Sequence, residues 1–175
     1  MPNRRVTAKA AAISAAALLA AAAAACGDDD PDAEDAADLG GSWTANLTTT
    51  AEWAAVYPNG HGTVNATSDD GTNVQLTAVG LGDSVEYTAH VHDGECDDNP
   101  PGGGHWLSDP NGEDAAGNIV ELTFTTSATG VGETTESSTL ALDDRAESVV
   151  VHAPDAVVQA QGLTGDRVLC GDLED

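Results

Sequence analysis

An all-β fold, an antiparallel sandwich or barrel of about eight short strands, is what the sequence predicts, and three observations predict it. Segments rich in Val, Thr and Leu recur at strand length, and most alternate apolar with polar residues. Clusters of Gly, Asn, Asp and Pro interrupt them at short intervals. No stretch carries a long helical period, a heptad or an internal repeat.

In chain order the strand-like segments are "GTVNAT" (62–67), "NVQLTAVG" (73–80), "SVEYTAHVH" (84–92), "NIVELTFTT" (118–126), "STLAL" (138–142), "SVVVHA" (148–153) and "DRVLCGDL" (166–173). The separators "SDDGT", "LGDS", "DDNPPGGG", "DPNGEDAAG" and "ATGVGETTE" are turn and loop chemistry. Aromatic residues are scarce, so Val, Leu and Ala must fill the core. Along "SVEYTAHVH", Val85, Tyr87, Ala89 and Val91 point to one face, while Glu86, Thr88, His90 and His92 point to the other. The apolar set belongs in the core. His90 and His92 therefore share an outward face and can converge on one ion.

The domain does not begin at residue 1. Residues 1–25 carry Arg4, Arg5 and Lys9 ahead of an unbroken small-apolar run, the layout of a secretory signal. Cys26 follows at once and resembles a bacterial lipobox cysteine, which becomes the lipidated N-terminus; Ala23 stands where such motifs usually have Leu. Residues 26–40, with "GDDDPDAEDAAD", are too polar and too uniformly charged to fold, and read as a linker. Residues 41–175 form one domain around one core.

Once the signal is removed, Arg145 and Arg167 are the only cationic side chains apart from histidine, against 30 carboxylates. No basic surface exists to neutralise phosphates, so a nucleic-acid partner is excluded. A surface without lysine and with this excess of acid resembles those of proteins from salty environments, where salt screens the self-repulsion. Cys96 and Cys170 are the only cysteines of the folded part. In an exported chain such a pair reads as a disulfide, with a pair of metal ligands as the competing reading.

His105, in "PPGGGHWL", and His152, in "SVVVHAPD", can join the first two histidines as an imidazole set suited to copper or zinc. His61, in "PNGHGT", is flanked by turn residues and reads as a surface residue. Spacing alone does not bring His105 and His152 to the first pair.

Four ordered blocks, "AHVHDGEC", "GGGHW", "SVVVHA" and "GDRVLCGDL", resemble the copper/zinc superoxide dismutase family. They run from about residue 85 to 173, and the region 43–84 would supply the first strands. The resemblance implies a Greek-key β-barrel, copper at His90, His92, His105 and His152, and a Cys96–Cys170 disulfide. It also implies that Arg167 guides and orients the superoxide anion, and that His105 takes part in catalysis.

The departures from the family pattern bear on zinc. A zinc-binding member has two more histidines and an aspartate after the bridging histidine; "WLSDPNGEDAAGN" (106–118) has no histidine, and Ala115 stands in the aspartate's place. The segment "APDAVVQAQGLTGD" between His152 and Arg167 is shorter than the family's electrostatic loop. The resemblance is therefore closest to copper-only members: copper is the expected cofactor and zinc is not. Glu113, Asp114 and Asp155 are candidates to hold His105 in place of zinc, and Arg145 reads as a surface ion pair. The expected partners are superoxide, a membrane through the N-terminal lipid and a copper donor. The alternative function is a copper-sequestering envelope lipoprotein on the same fold, and the third is an envelope binding module without metal.

Overall fold

The computed structural model describes residues 40–175. The signal segment 1–25, Cys26 and the linker as far as residue 39 lie outside the described residues. Eight strands form: β1 (Gly41–Thr49), β2 (His61–Ser68), β3 (Thr72–Val79), β4 (Glu86–His92), β5 (Glu121–Thr125), β6 (Gly132–Ser138), β7 (Ser148–His152) and β8 (Arg167–Asp172). One seven-residue helix, α1 (Asp155–Gln161), lies between β7 and β8.

Every pairing is antiparallel, in the order β5-β4-β7-β8-β1-β2-β3-β6. The two end strands, β5 and β6, come back into contact, so the sheet is nearly closed into a barrel. Counted across that seam, the β3–β4 and β6–β7 connections each skip two strands, which gives the Greek-key path. Alternation explains the closure. β1 buries Trp43, Ala45 and Leu47, β3 buries Val74, Leu76 and Ala78, and β4 buries Tyr87, Ala89 and Val91, while their alternate residues on β1 and β3 face solvent.

β1, "GSWTANLTT", lies at the start of the region expected to supply the first strands and alternates Trp43, Ala45 and Leu47 with polar residues. Two local expectations needed correction. "STLAL" is not a strand beyond its first residue: Leu142 is fully buried beside the β2–β3 turn, where its N–H donates to Ser68 Oγ (2.8 Å). Its apolar residues plug the barrel rather than line a sheet. The separator "ATGVGETTE" instead supplies most of β6, an end strand hydrogen-bonded only to β3 and exposed over most of its length. Such a strand has no need of apolar alternation.

Two connections prepare the functional surface. Between β1 and β2, Trp53 is fully buried; its indole donates to the Gly165 carbonyl (3.0 Å) and its ring stacks on Tyr57. Glu52 accepts the N–H groups of Thr164 and Gly165, each at 3.0 Å. This connection thus fixes the turn leading into β8. Between β4 and β5, the glycines of "PPGGGH" let the chain press on β7: a Cβ on Gly102 (φ +84°) would fall 2.5 Å from Val150 Cγ2.

Candidate metal centre

His90 and His92 lie on the outward face of β4, as strand periodicity predicts, yet both are buried, because the β4–β5 connection and β7 cover them. β7 pairs with β4 so that Thr88 stands opposite His152 and His90 opposite Val150. His152 therefore sits diagonally across from His90 on the same face, at a β-bulge that ends its strand. His105 arrives from the connection. It forms an isolated bridge with His92, and the next residue, Trp106, donates its N–H to the Val91 carbonyl (2.9 Å). The four rings converge, each offering one nitrogen within 4.8 Å of the others.

Three of the four rings are oriented by carboxylates on their far side. Glu121 Oε2 lies 3.0 Å from His90 Nε2, Asp114 Oδ1 lies 2.7 Å from His105 Nδ1, and Asp166 Oδ2 lies 3.2 Å from His152 Nδ1. Each carboxylate takes an N–H, so the opposite nitrogen of each ring keeps its lone pair for the common centre. Metal-binding histidines are held in this way as a rule. The fourth ring, His92, has its Nε2 only 3.2 Å from His152 Nε2.

His90 Nδ1 and His92 Nδ1 are buried without a hydrogen-bond partner. Unpaired polar atoms in a buried position cost free energy unless something satisfies them. A cation among the four imidazoles would draw on the His90 Nδ1 lone pair directly. It would also displace the proton that His92 Nε2 and His152 Nε2 share, although His92 Nδ1 keeps no partner in either state. The donor set therefore fits a metal ion, and one with an affinity for nitrogen.

Burial keeps two of the imidazoles, those of His90 and His92, in their binding form. Burial, then the neighbouring imidazoles and Arg167, push His92 down to about 3. Burial also holds His90 below the ordinary histidine value, against the pull of Glu121. The hydrogen bond from His152 holds the Asp166 carboxyl below the usual carboxylate range despite its partial burial. Neutral imidazole is the state that accepts a metal without releasing a proton.

Arg167 opens β8 directly opposite His152 and is half-buried, with its Nη1 donating to the Pro101 carbonyl. It also lines a cavity of about 770 Å³ together with Thr50, Glu52, Cys96, Pro101 and Asp166. No histidine lines that cavity, which lies beside the imidazole cluster. Cys96 and Cys170 are joined in a disulfide with Cα atoms 5.7 Å apart, so the cysteines are not metal ligands. A disulfide also points to an oxidising compartment outside the cytoplasm.

Of the three candidate holders of His105, Asp114 does it. Asp155 opens α1 instead, and Glu113 lends its carbonyl to Asn118 Nδ2 (3.0 Å). Arg145 is more than a surface ion pair. It grips Asp143, which is 4% exposed, and donates to the Leu107 carbonyl (3.1 Å). His61 is exposed, at the first position of β2 rather than in a loop. Sequence reasoning missed Glu121 and Asp166. Glu121 stands opposite His90 in the β4–β5 register, a signal available only once the strand pairing is known.

The eight-stranded Greek-key barrel is a fold that comparison with solved structures also indicates. The chain resembles a double mutant of a SOD-like (superoxide dismutase-like) protein from Bacillus subtilis, with a TM-score of 0.52 and 19% identity over 75% of this chain and 97% of that one. A single mutant of a SOD-like protein from the same organism aligns with a TM-score of 0.52 and 21% identity over the same shares. The chain thus has the SOD-like fold. No family model and no curated protein matches the sequence.

Proposed function

We propose that the chain is a copper-dependent superoxide dismutase that works outside the cytoplasm, with copper held by His90, His92, His105 and His152 and with no zinc. The observation that carries this reading is the convergence of four imidazoles, three oriented by carboxylates, beside a single half-buried arginine. A four-nitrogen set suits copper(II). The nitrogen of His105 that would face zinc is already taken by Asp114, and Ala115 replaces the aspartate of zinc-binding members.

Bound copper would supply one-electron chemistry, by which two superoxide anions and two protons become dioxygen and hydrogen peroxide. The protein's own part is to attract, orient and hold. Arg167 supplies the one positive side chain beside the cluster, on a surface whose carboxylates repel anions at long range. Salt screens that repulsion beyond about 8 Å at physiological ionic strength, so the local guanidinium governs the last approach. Asp114 keeps the proton on His105 Nδ1 and so fixes the tautomer and tilt of that ring. The signal segment and a lipid on Cys26 would place the domain at the cell envelope.

Reconstitution with copper(II) followed by superoxide decay tests the proposal. Arg167→Ala keeps copper and loses catalysis by about tenfold or more, the range of electrostatic guidance; His152→Ala loses copper. The carboxylates around the imidazoles and the acidic surface favour a second reading, copper sequestration, and tight copper binding without superoxide decay establishes that one. Stoichiometric zinc beside copper overturns the copper-only assignment. Asp114→Asn weakens copper(II) by about ten- to a hundredfold, measured by chelator competition. An unchanged affinity removes Asp114 from the site.

A further inference from the structure

His105 is the only one of the four histidines that no strand carries, and something must fix the chain that does. Upstream of it, the disulfide and Arg167 tie residues 96–101 to β8. Downstream, the anchor is a separate cluster. Trp106 is fully buried, and its indole N–H donates to Asp143 Oδ1 (2.8 Å). Asp143 is a buried carboxylate in the connection between β6 and β7. Arg145 closes on it through Nε (2.9 Å) and Nη2 (2.6 Å), and the Arg145 backbone N–H donates to Oδ1 (3.1 Å).

The same guanidinium reaches back with Nη1 to the Leu107 carbonyl (3.1 Å) and lies 5.5 Å from the Trp106 ring centre. A buried carboxylate is tolerated only while its partners are present. The forked geometry of arginine lets one side chain serve both Asp143 and the Leu107 carbonyl, which lysine cannot do. The residue next to His105 and the one after that are thus both fastened to the connection that leads into β7, the strand of His152.

We infer that Trp106, Asp143 and Arg145 form a positioning clamp that sets His105 against the other three imidazoles, so that metal affinity depends on a carboxylate that touches none of them. This rests on the metal reading of the four histidines. The clamp itself does not require the metal to be copper, and it acts in the metal-free protein as well.

The test uses the full chain and three variants. Trp106→Phe keeps an aromatic side chain but removes the N–H together with the five-membered ring, Arg145→Lys keeps the charge and loses the fork, and Tyr87→Phe is the control. Tyr87 also gives up a buried hydrogen-bonding group, one that donates to Tyr57 and accepts from Gly82 and bonds to no residue of the clamp. Copper(II) affinity is read by chelator competition and the His105 ring nitrogens by NMR on the metal-free protein. The clamp predicts about a tenfold loss of affinity and displaced His105 ring shifts in Trp106→Phe and Arg145→Lys. It predicts neither in Tyr87→Phe, even where thermal stability falls equally.

Affinity and ring shifts that follow stability alone, alike in all three variants, overturn the clamp. If the parent chain binds no copper(II), the metal reading fails, and the ring shifts by themselves decide the clamp. Should Trp106→Phe fail to fold, Arg145→Lys carries the comparison with Tyr87→Phe.

Discussion

Replacing Cys96 and Cys170 by serine lowers the unfolding free energy by about 4 kcal/mol, the chain-entropy cost of releasing so long a loop. The two cysteines are 74 residues apart. For a domain of this size the loss corresponds to a fall of about 15 °C in the unfolding midpoint. The effect should not stop at stability. The bridge and the Arg167–Pro101 hydrogen bond tie the same short stretch, 96–101, to β8, and that stretch feeds the glycines that lay His105 against β4. Oxidised and reduced protein are compared by urea unfolding and by copper(II) competition. A difference below about 1 kcal/mol would show that the rest of the chain already restrains the loop.

Why some of this was legible in the sequence and some was not follows from the range of the interactions. The shared face of His90 and His92 needs only the period of one strand, so it could be read directly from "SVEYTAHVH". The fold class was readable for the same reason, because alternation and turn chemistry are local. The exchange of "STLAL" for "GETTESS" as the sixth strand was not readable. Leu140 and Leu142 alternate like strand residues but plug the barrel, and β6 lies at the end of the sheet, where polar residues suffice. Glu121, Asp166 and the grip of Arg145 on Asp143 are properties of strand register and loop packing. No one-dimensional pattern distinguishes them from the other carboxylates of so acidic a chain.

In the metal-free protein, stability depends on pH through His92. Its folded value is about 3, against 6.5 for an exposed histidine, with burial as the main cause. Below the ordinary value the unfolded chain binds a proton that the folded chain refuses. Stability from this group is therefore complete above pH 6.5 and is lost progressively as the pH falls towards 3, on the order of several kcal/mol in all. Asp166, whose folded value is also lowered, extends the loss at the acid end of the same range. Protonation of the surface carboxylates relieves self-repulsion and works in the opposite direction. The clean measurement is the difference between the parent chain and His92→Gln, unfolded by urea from pH 8 to pH 4. A difference independent of pH would mean that His92 does not remain neutral in the fold.

The seam where β5 meets β6 reaches further than its place at the barrel's edge suggests. β5 is hydrogen-bonded into the sheet through β4 alone, and at its first position it carries Glu121, the residue that orients His90. Strands held on one side open locally at lower cost than those held on both. Amide hydrogens of β5 should therefore exchange with solvent ahead of those of β4, and each such opening withdraws the proton acceptor from His90. The barrel's least secured joint thus doubles as a tuning point for the imidazole cluster, and a residue on the moving strand, not one of the four histidines, would be the first to register it.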